Sequence, residues 1–68
     1  MSEKVTLVMD IRGLRREAGV TIEQAAAMTE VPKATLMRIE TGAAPALENA
    51  LRIARFMRTP VEEIWRLE

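Results

Sequence analysis

The chain has 68 residues with ten basic and ten acidic side chains, hence a formal net charge of zero. Hydrophobic residues make up 49% and aromatic residues 3%, and there is neither Cys nor His. This excludes a disulfide scaffold and the common soft-metal sites, and it leaves no bulk positive charge to draw in nucleic acid, although clustered charge matters more than the sum.

The first segment, residues 1–6, is expected to be a flexible tail. Lys4 to Met9 alternates like a strand, but with no evident second strand it is read as a frayed lead into a helix. Helix 1 follows, with Leu7, Ile11, Leu14 and Ala18 on one stripe. Thr6 is its expected cap, and Gly19 suits the left-handed position past its end. Gly13 lies inside and weakens the helix by about 1 kcal/mol relative to Ala.

The stretch "TIEQ" opens helix 2, with Thr21 and Gln24 spaced for a capping box and small Ala25 and Ala26 facing inward. "TEVP" interrupts the pattern, because Pro32 disfavours helix at Val31 and suits the first turn of a new one. Helix 3 covers Lys33 to Glu40, with Leu36 and Ile39 inward and Gly42 as its stop. Pro45 breaks the connector, and Glu48 complements the dipole at the start of helix 4. The expected inner stripe of helix 4 is Leu47, Ala50, Leu51, Ala54 and Met57. "RTPVEE" predicts another start, with Thr59 as cap, Pro60 at the first position and Glu62 closing a box; helix 5 carries Val61, Ile64 and Trp65.

The expected fold is thus all-α: one compact domain of five helices over residues 7–68. A domain of this size buries only about 60% of its unfolded surface, so tight helix packing or self-association is expected. The apolar group Phe56, Ile64 and Trp65 is the expected homodimer interface, with core filling the plain alternative for Ile64. No apolar run nears the roughly 20 residues that cross a bilayer, and no signal-peptide core is evident. A cytoplasmic location is expected, with no membrane partner.

Thr21 to Glu40 has the layout of a helix-turn-helix, two short helices joined by a tight turn, whose second helix can lie in the major groove. Three stretches, "IRGLRREAGVT", "AAAMTEVPKATLMRIETG" and "PALENALRIARFMRTPVEEIW", resemble in order and spacing the phage-repressor and Cro-like helix-turn-helix family of bacterial transcription regulators. The resemblance runs from Leu7 to Trp65. It implies a repressor-like DNA-binding domain with its motif at helices 2 and 3, acting as a homodimer on a palindromic site in double-stranded DNA.

The resemblance also implies roles for single positions. Arg15 and Glu40 match a structural ion pair, and Ala26, Val31, Ile39, Leu51, Ala54 and Ile64 match core positions. Thr21 and Ile22 match the helix start that grips phosphate. Lys33, Ala34, Thr35, Met37 and Arg38 match the outward face of the recognition helix. Thr41, Ala43 and Ala44 match the loop that touches the DNA backbone. Lys33 is expected to donate to guanine O6 or N7, and Arg38 to contact phosphate. Thr35 either offers its methyl to thymine or covers the helix turn. Ala34 and Met37 offer only apolar contact, to thymine methyls or to a protein partner. Arg12 and Arg16 read as solvated charge.

Departures from the pattern weaken the DNA reading. Ile22 replaces a usual Gln, Glu30 stands where Gly is usual, Pro32 replaces a Ser or Thr cap, and Ala43 and Ala44 replace basic residues. Weak non-specific binding with a shallow salt slope follows. The alternative is a helix-turn-helix whose apolar face docks a protein. Catalysis is not expected: nucleophile–base dyads of the usual kinds are absent, and so are phosphate-cradling or Ca²⁺ loops. No cofactor, metal or small-molecule ligand is implied.

Overall fold

The computed structural model describes residues 3–68. In chain order it contains β1 (Val5–Leu7), α1 (Ile11–Glu17), α2 (Ile22–Thr29), α3 (Lys33–Glu40), α4 (Leu47–Met57), α5 (Val61–Ile64) and β2 (Trp65–Leu67). Five helices are present as expected, but the fold is not purely helical. Among the described residues, none of the helices is long and apolar enough to cross a membrane.

The flexible tail expected over residues 1–6 is corrected in its described part, while Met1 and Ser2 lie outside the described residues. Val5–Leu7 pairs antiparallel with Trp65–Leu67, in the register Val5↔Leu67, Thr6↔Arg66, Leu7↔Trp65. Lys4 and Glu68 exchange both backbone hydrogen bonds at 2.9 Å, and the Val8 N–H donates to the Ile64 carbonyl at 2.9 Å. The second strand is the segment read as the end of helix 5. Trp65 turns extended, with φ −128° and ψ 145°, so α5 is a single turn.

Helix 1 starts four residues later than its apolar stripe suggested, because Leu7 belongs to the sheet. Its cap is Asp10, not Thr6, and Asp10 accepts from the Gly13 N–H at 3.0 Å. A Cβ at position 13 would collide with that Asp10 carboxylate. The glycine that weakens the helix interior is therefore what admits its cap. At the other end Gly19 sits at φ +73°, and the Val20 N–H reaches back to the Arg15 carbonyl at 3.0 Å, closing the helix.

The core forms where α2, α3, α4 and the sheet converge. Val31, Leu36, Ile39, Ile53 and Ile64 are the largest fully buried side chains. The inner stripe of α4 is Ala50, Ile53 and Ala54 with Met57 half-buried, whereas Leu47 and Leu51 are 73% and 53% exposed. The two stripes share Ala50, Ala54 and Met57, but the buried face turns toward Ile53, and Leu51 is not a core residue. Both stripes satisfy helical periodicity, so the neighbouring elements choose between them.

The expected cap of α5 is also corrected. Pro60 occupies the cap position without a side-chain bond, and the Thr59 hydroxyl donates instead to the Met57 carbonyl at 2.9 Å. Ile64 is 0% and Trp65 5% exposed, so neither is a dimer interface. The β1–β2 pairing holds both against the helices, and they fill the core of a single chain. Phe56 is half-buried beside α1.

Candidate functional site

Helices α2 and α3 pack against each other across a short turn, and local chemistry sets both ends of α2. The Thr21 hydroxyl accepts from the Gln24 backbone N–H at 3.1 Å, while the Gln24 side-chain Oε1 accepts from the Thr21 N–H at 2.9 Å. This reciprocal capping box satisfies two amides that a helix start leaves without partners. At the far end Glu30 adopts φ 62°, the left-handed region, and its N–H closes on the Ala26 carbonyl at 2.9 Å. A non-glycine residue held there costs about 1–2 kcal/mol.

Thr29 holds the turn, a role that the sequence did not reveal. Its buried hydroxyl donates to the Ala25 carbonyl at 2.7 Å and accepts from the Val31 N–H at 3.2 Å. Such back-bonding looks like any helical Thr until the chain beyond it turns. Pro32 then fixes the approach to α3 with φ −54° and ψ 141°, and its carbonyl accepts from the Leu36 N–H at 2.8 Å. The last turn closes through Gly42 at φ +113°, with the Ala43 N–H on the Arg38 carbonyl at 3.0 Å.

Leu36 and Ile39 point inward, each 2% exposed. Helical periodicity then turns Lys33, Ala34, Met37 and Arg38 to solvent, with Thr35 half-buried at the margin. Thr21 and Thr41 are also exposed. The Thr41 hydroxyl donates back to the Arg38 carbonyl at 2.9 Å and the Met37 carbonyl at 3.3 Å, so its proton is occupied within the helix end. Arg38 makes one long contact, from Nη2 to the Thr35 hydroxyl at 3.5 Å. Ala34, Met37, Ala43 and Ala44 leave much of this surface apolar.

Lys33 is not free. Its Nζ donates to Glu23 Oε2 at 2.8 Å, joining the first turn of α3 to the first turn of α2. That hydrogen bond, ahead of a backbone one, holds the Glu23 carboxyl below the usual Glu range. An acidic residue in a first turn reads from sequence as a dipole complement, and nothing local names a partner ten residues on. Of the two exposed cations of α3, Lys33 is thus paired with Glu23, and a further exposed carboxylate, Glu30, stands in the turn between the helices.

Arg15 anchors the unit from α1. Its Nε donates to Glu40 Oε2 at 2.8 Å, its Nη2 to Glu40 Oε1 at 3.1 Å, and its Nη1 to the Val20 carbonyl at 2.9 Å. The side chains are 10% and 2% exposed, and Arg12 approaches Glu40 Oε1 at 3.7 Å. Glu40's hydrogen bond holds the Arg15 pKa above its ordinary value. One guanidinium therefore ties the end of α3 to α1 and to the connector that leads into α2.

Residues 11–64 match the family model described as helix-turn-helix. No curated protein and no solved structure matches the chain.

Proposed function

The chain belongs to the helix-turn-helix family of phage-repressor and Cro-like regulators, and from that premise we propose that it is a sequence-specific DNA-binding transcription regulator. In this reading α2 and α3 form the motif and α3 enters the major groove, whose width admits a helix. The carrying observation is the outward face of α3, where Lys33, Ala34, Thr35, Met37 and Arg38 lie on a helix whose inner face is buried through Leu36 and Ile39 and whose end is tied to α1 by Arg15–Glu40. Lys33 meets base edges, Arg38 meets phosphate, and Ala34, Met37 and the Thr35 methyl supply apolar contact to thymine. Thr21 flanks the groove at the phosphates, and Thr41 lies at its edge with its proton held by the Arg38 carbonyl.

The regulator acts as a homodimer, and repression is the expected outcome of occupying its site. Exposed Leu47 and Leu51, one helical turn apart on α4, supply the self-association surface in place of Ile64 and Trp65. A two-fold pair would set two α3 helices about one DNA turn, roughly 34 Å, apart and read a palindrome.

Selection of bound duplexes from a random pool at low salt, followed by fluorescence polarisation, tests this. Specific binding with a shallow salt slope is expected, and Arg38→Ala should weaken every sequence and reduce that slope by about 1. Absence of sequence preference at any salt overturns the reading.

One observation favours a second reading. The Glu23–Lys33 bond and Glu30 offset the positive charge beside the exposed, apolar Met37. Such a face suits a protein partner. If Met37→Lys strengthens DNA binding and disrupts no protein complex, this second reading fails.

A further inference from the structure

Lys33 and Glu23 lie 2.8 Å apart with side chains 50% and 65% exposed, one on each helix of the α2–α3 unit. An ammonium has three N–H groups, and the bond to Glu23 uses one. A carboxylate has about four lone-pair positions, so Glu23 keeps most of its accepting capacity. The pair therefore presents a free donor and a free acceptor side by side, held together by their own hydrogen bond.

The major-groove edge of a G·C base pair carries the complementary arrangement. Guanine offers O6 and N7 as acceptors and cytosine offers its N4 amine as donor. O6 and N4 are themselves joined by a hydrogen bond of about 2.9 Å, close to the spacing of Lys33 and Glu23. We propose that Lys33 and Glu23 read one G·C base pair as a unit, Lys33 donating to guanine O6 and N7 while Glu23 accepts from cytosine N4. This rests on the DNA-binding reading above and adds Glu23 as a specificity-determining residue.

The order of the two groups gives direction. A C·G pair in the same place sets the ammonium against an amine and the carboxylate against acceptors. An A·T pair fails in the same way. A T·A pair offers O4 and N6 correctly but sets the thymine methyl, rather than an N7 acceptor, beneath Lys33. A lone lysine on its flexible four-carbon stem can swing to guanine on either strand. Glu23 removes that freedom by holding Nζ and by penalising the reversed pair. The carboxylate also repels phosphate, so a merely solvated Glu23 would depress affinity for every sequence alike.

The test is selection from a random duplex pool with the native protein, Glu23→Ala and Lys33→Ala, followed by affinity measurement on all four base pairs at the selected position. The native protein is expected to select a G·C pair there. Glu23→Ala is expected to reduce the preference for G·C over C·G about tenfold while retaining a preference for guanine on one strand or the other. Lys33→Ala is expected to lose both. Two results overturn the inference while leaving the regulator reading intact: a selected site with no G·C pair that responds to Lys33, or Glu23→Ala strengthening all four base pairs equally. If the native protein selects no sequence at all, the regulator reading falls and the inference falls with it. Both side chains are exposed, and circular dichroism melting verifies that the variants fold.

Discussion

Arg15 and Glu40 join through two hydrogen bonds of 2.8 and 3.1 Å between residues twenty-five positions apart, almost wholly out of solvent. Both carboxylate oxygens and two guanidinium nitrogens are engaged, and a further nitrogen holds the Val20 carbonyl. Removing one partner leaves the other charge largely buried without its counter-ion. Glu40→Ala is expected to cost about 3–5 kcal/mol. In a domain this small, each kcal/mol lowers the melting temperature by about 4–8 °C, so the variant should melt well below the native protein. Replacing both residues by Met should recover much of the loss. Thermal melts followed by circular dichroism decide it, and a full-cost double variant counts against the pair as the cause.

Glu30 and Arg58 are the two positive-φ residues other than glycine among the described residues, at φ 62° and 52°. Each ends a helix, α2 and α4 respectively. Glu30→Gly is expected to stabilise by about 1 kcal/mol, because glycine adopts this backbone without Cβ strain. Arg58→Gly should act similarly. The two positions end different helices, so their gains should add in a denaturant titration.

The Glu23 carboxyl should titrate below an ordinary Glu, because Lys33 stabilises its ionised form. A folded pKa below the unfolded one contributes stability above the unfolded value, and this is lost as pH falls through the folded value. Both side chains are largely exposed, so the effect on overall stability is small and screened by salt. The informative measurement is an NMR titration of the Glu23 side chain. Lys33→Met should return its midpoint toward the usual range, and an unmoved midpoint would show that the Lys33 contact does not persist in solution.

Ile64 and Leu51 separate folding from association. Ile64 is 0% exposed, so Ile64→Ala is expected to cost about 2–5 kcal/mol. Leu51 is 53% exposed, so Leu51→Glu should leave each folded protomer intact while shifting sedimentation toward monomer. An unchanged sedimentation profile in Leu51→Glu argues against α4 as the self-association surface.

Much of the local architecture is legible in the residues themselves. The capping box of Thr21 and Gln24, the Pro32 break, the bounds of α2 and α3 and the stop at Gly42 each rest on interactions within about four residues. Such signals survive without knowledge of the rest of the fold. The inward placing of Leu36 and Ile39 follows from the same periodicity, and their opposites on α3 are then exposed of necessity.

Local chemistry alone is thus enough for the number and order of the helices, the bounds of α2 and α3, and the residues of α3 that face out. Tertiary structure decided the rest. Val5–Leu7 became a strand only because Trp65–Leu67, from the far end of the chain, lies beside it. That pairing moved Ile64 and Trp65 from an expected interface into the core. α4 buries Ile53 rather than Leu51 because two overlapping stripes are equally periodic, and contacts with α2 and α5 select between them. The Glu23–Lys33 bond exists because the turn at Thr29–Pro32 brings two helix starts together. In each case the deciding energy comes from groups distant in sequence, and local propensity has no access to it.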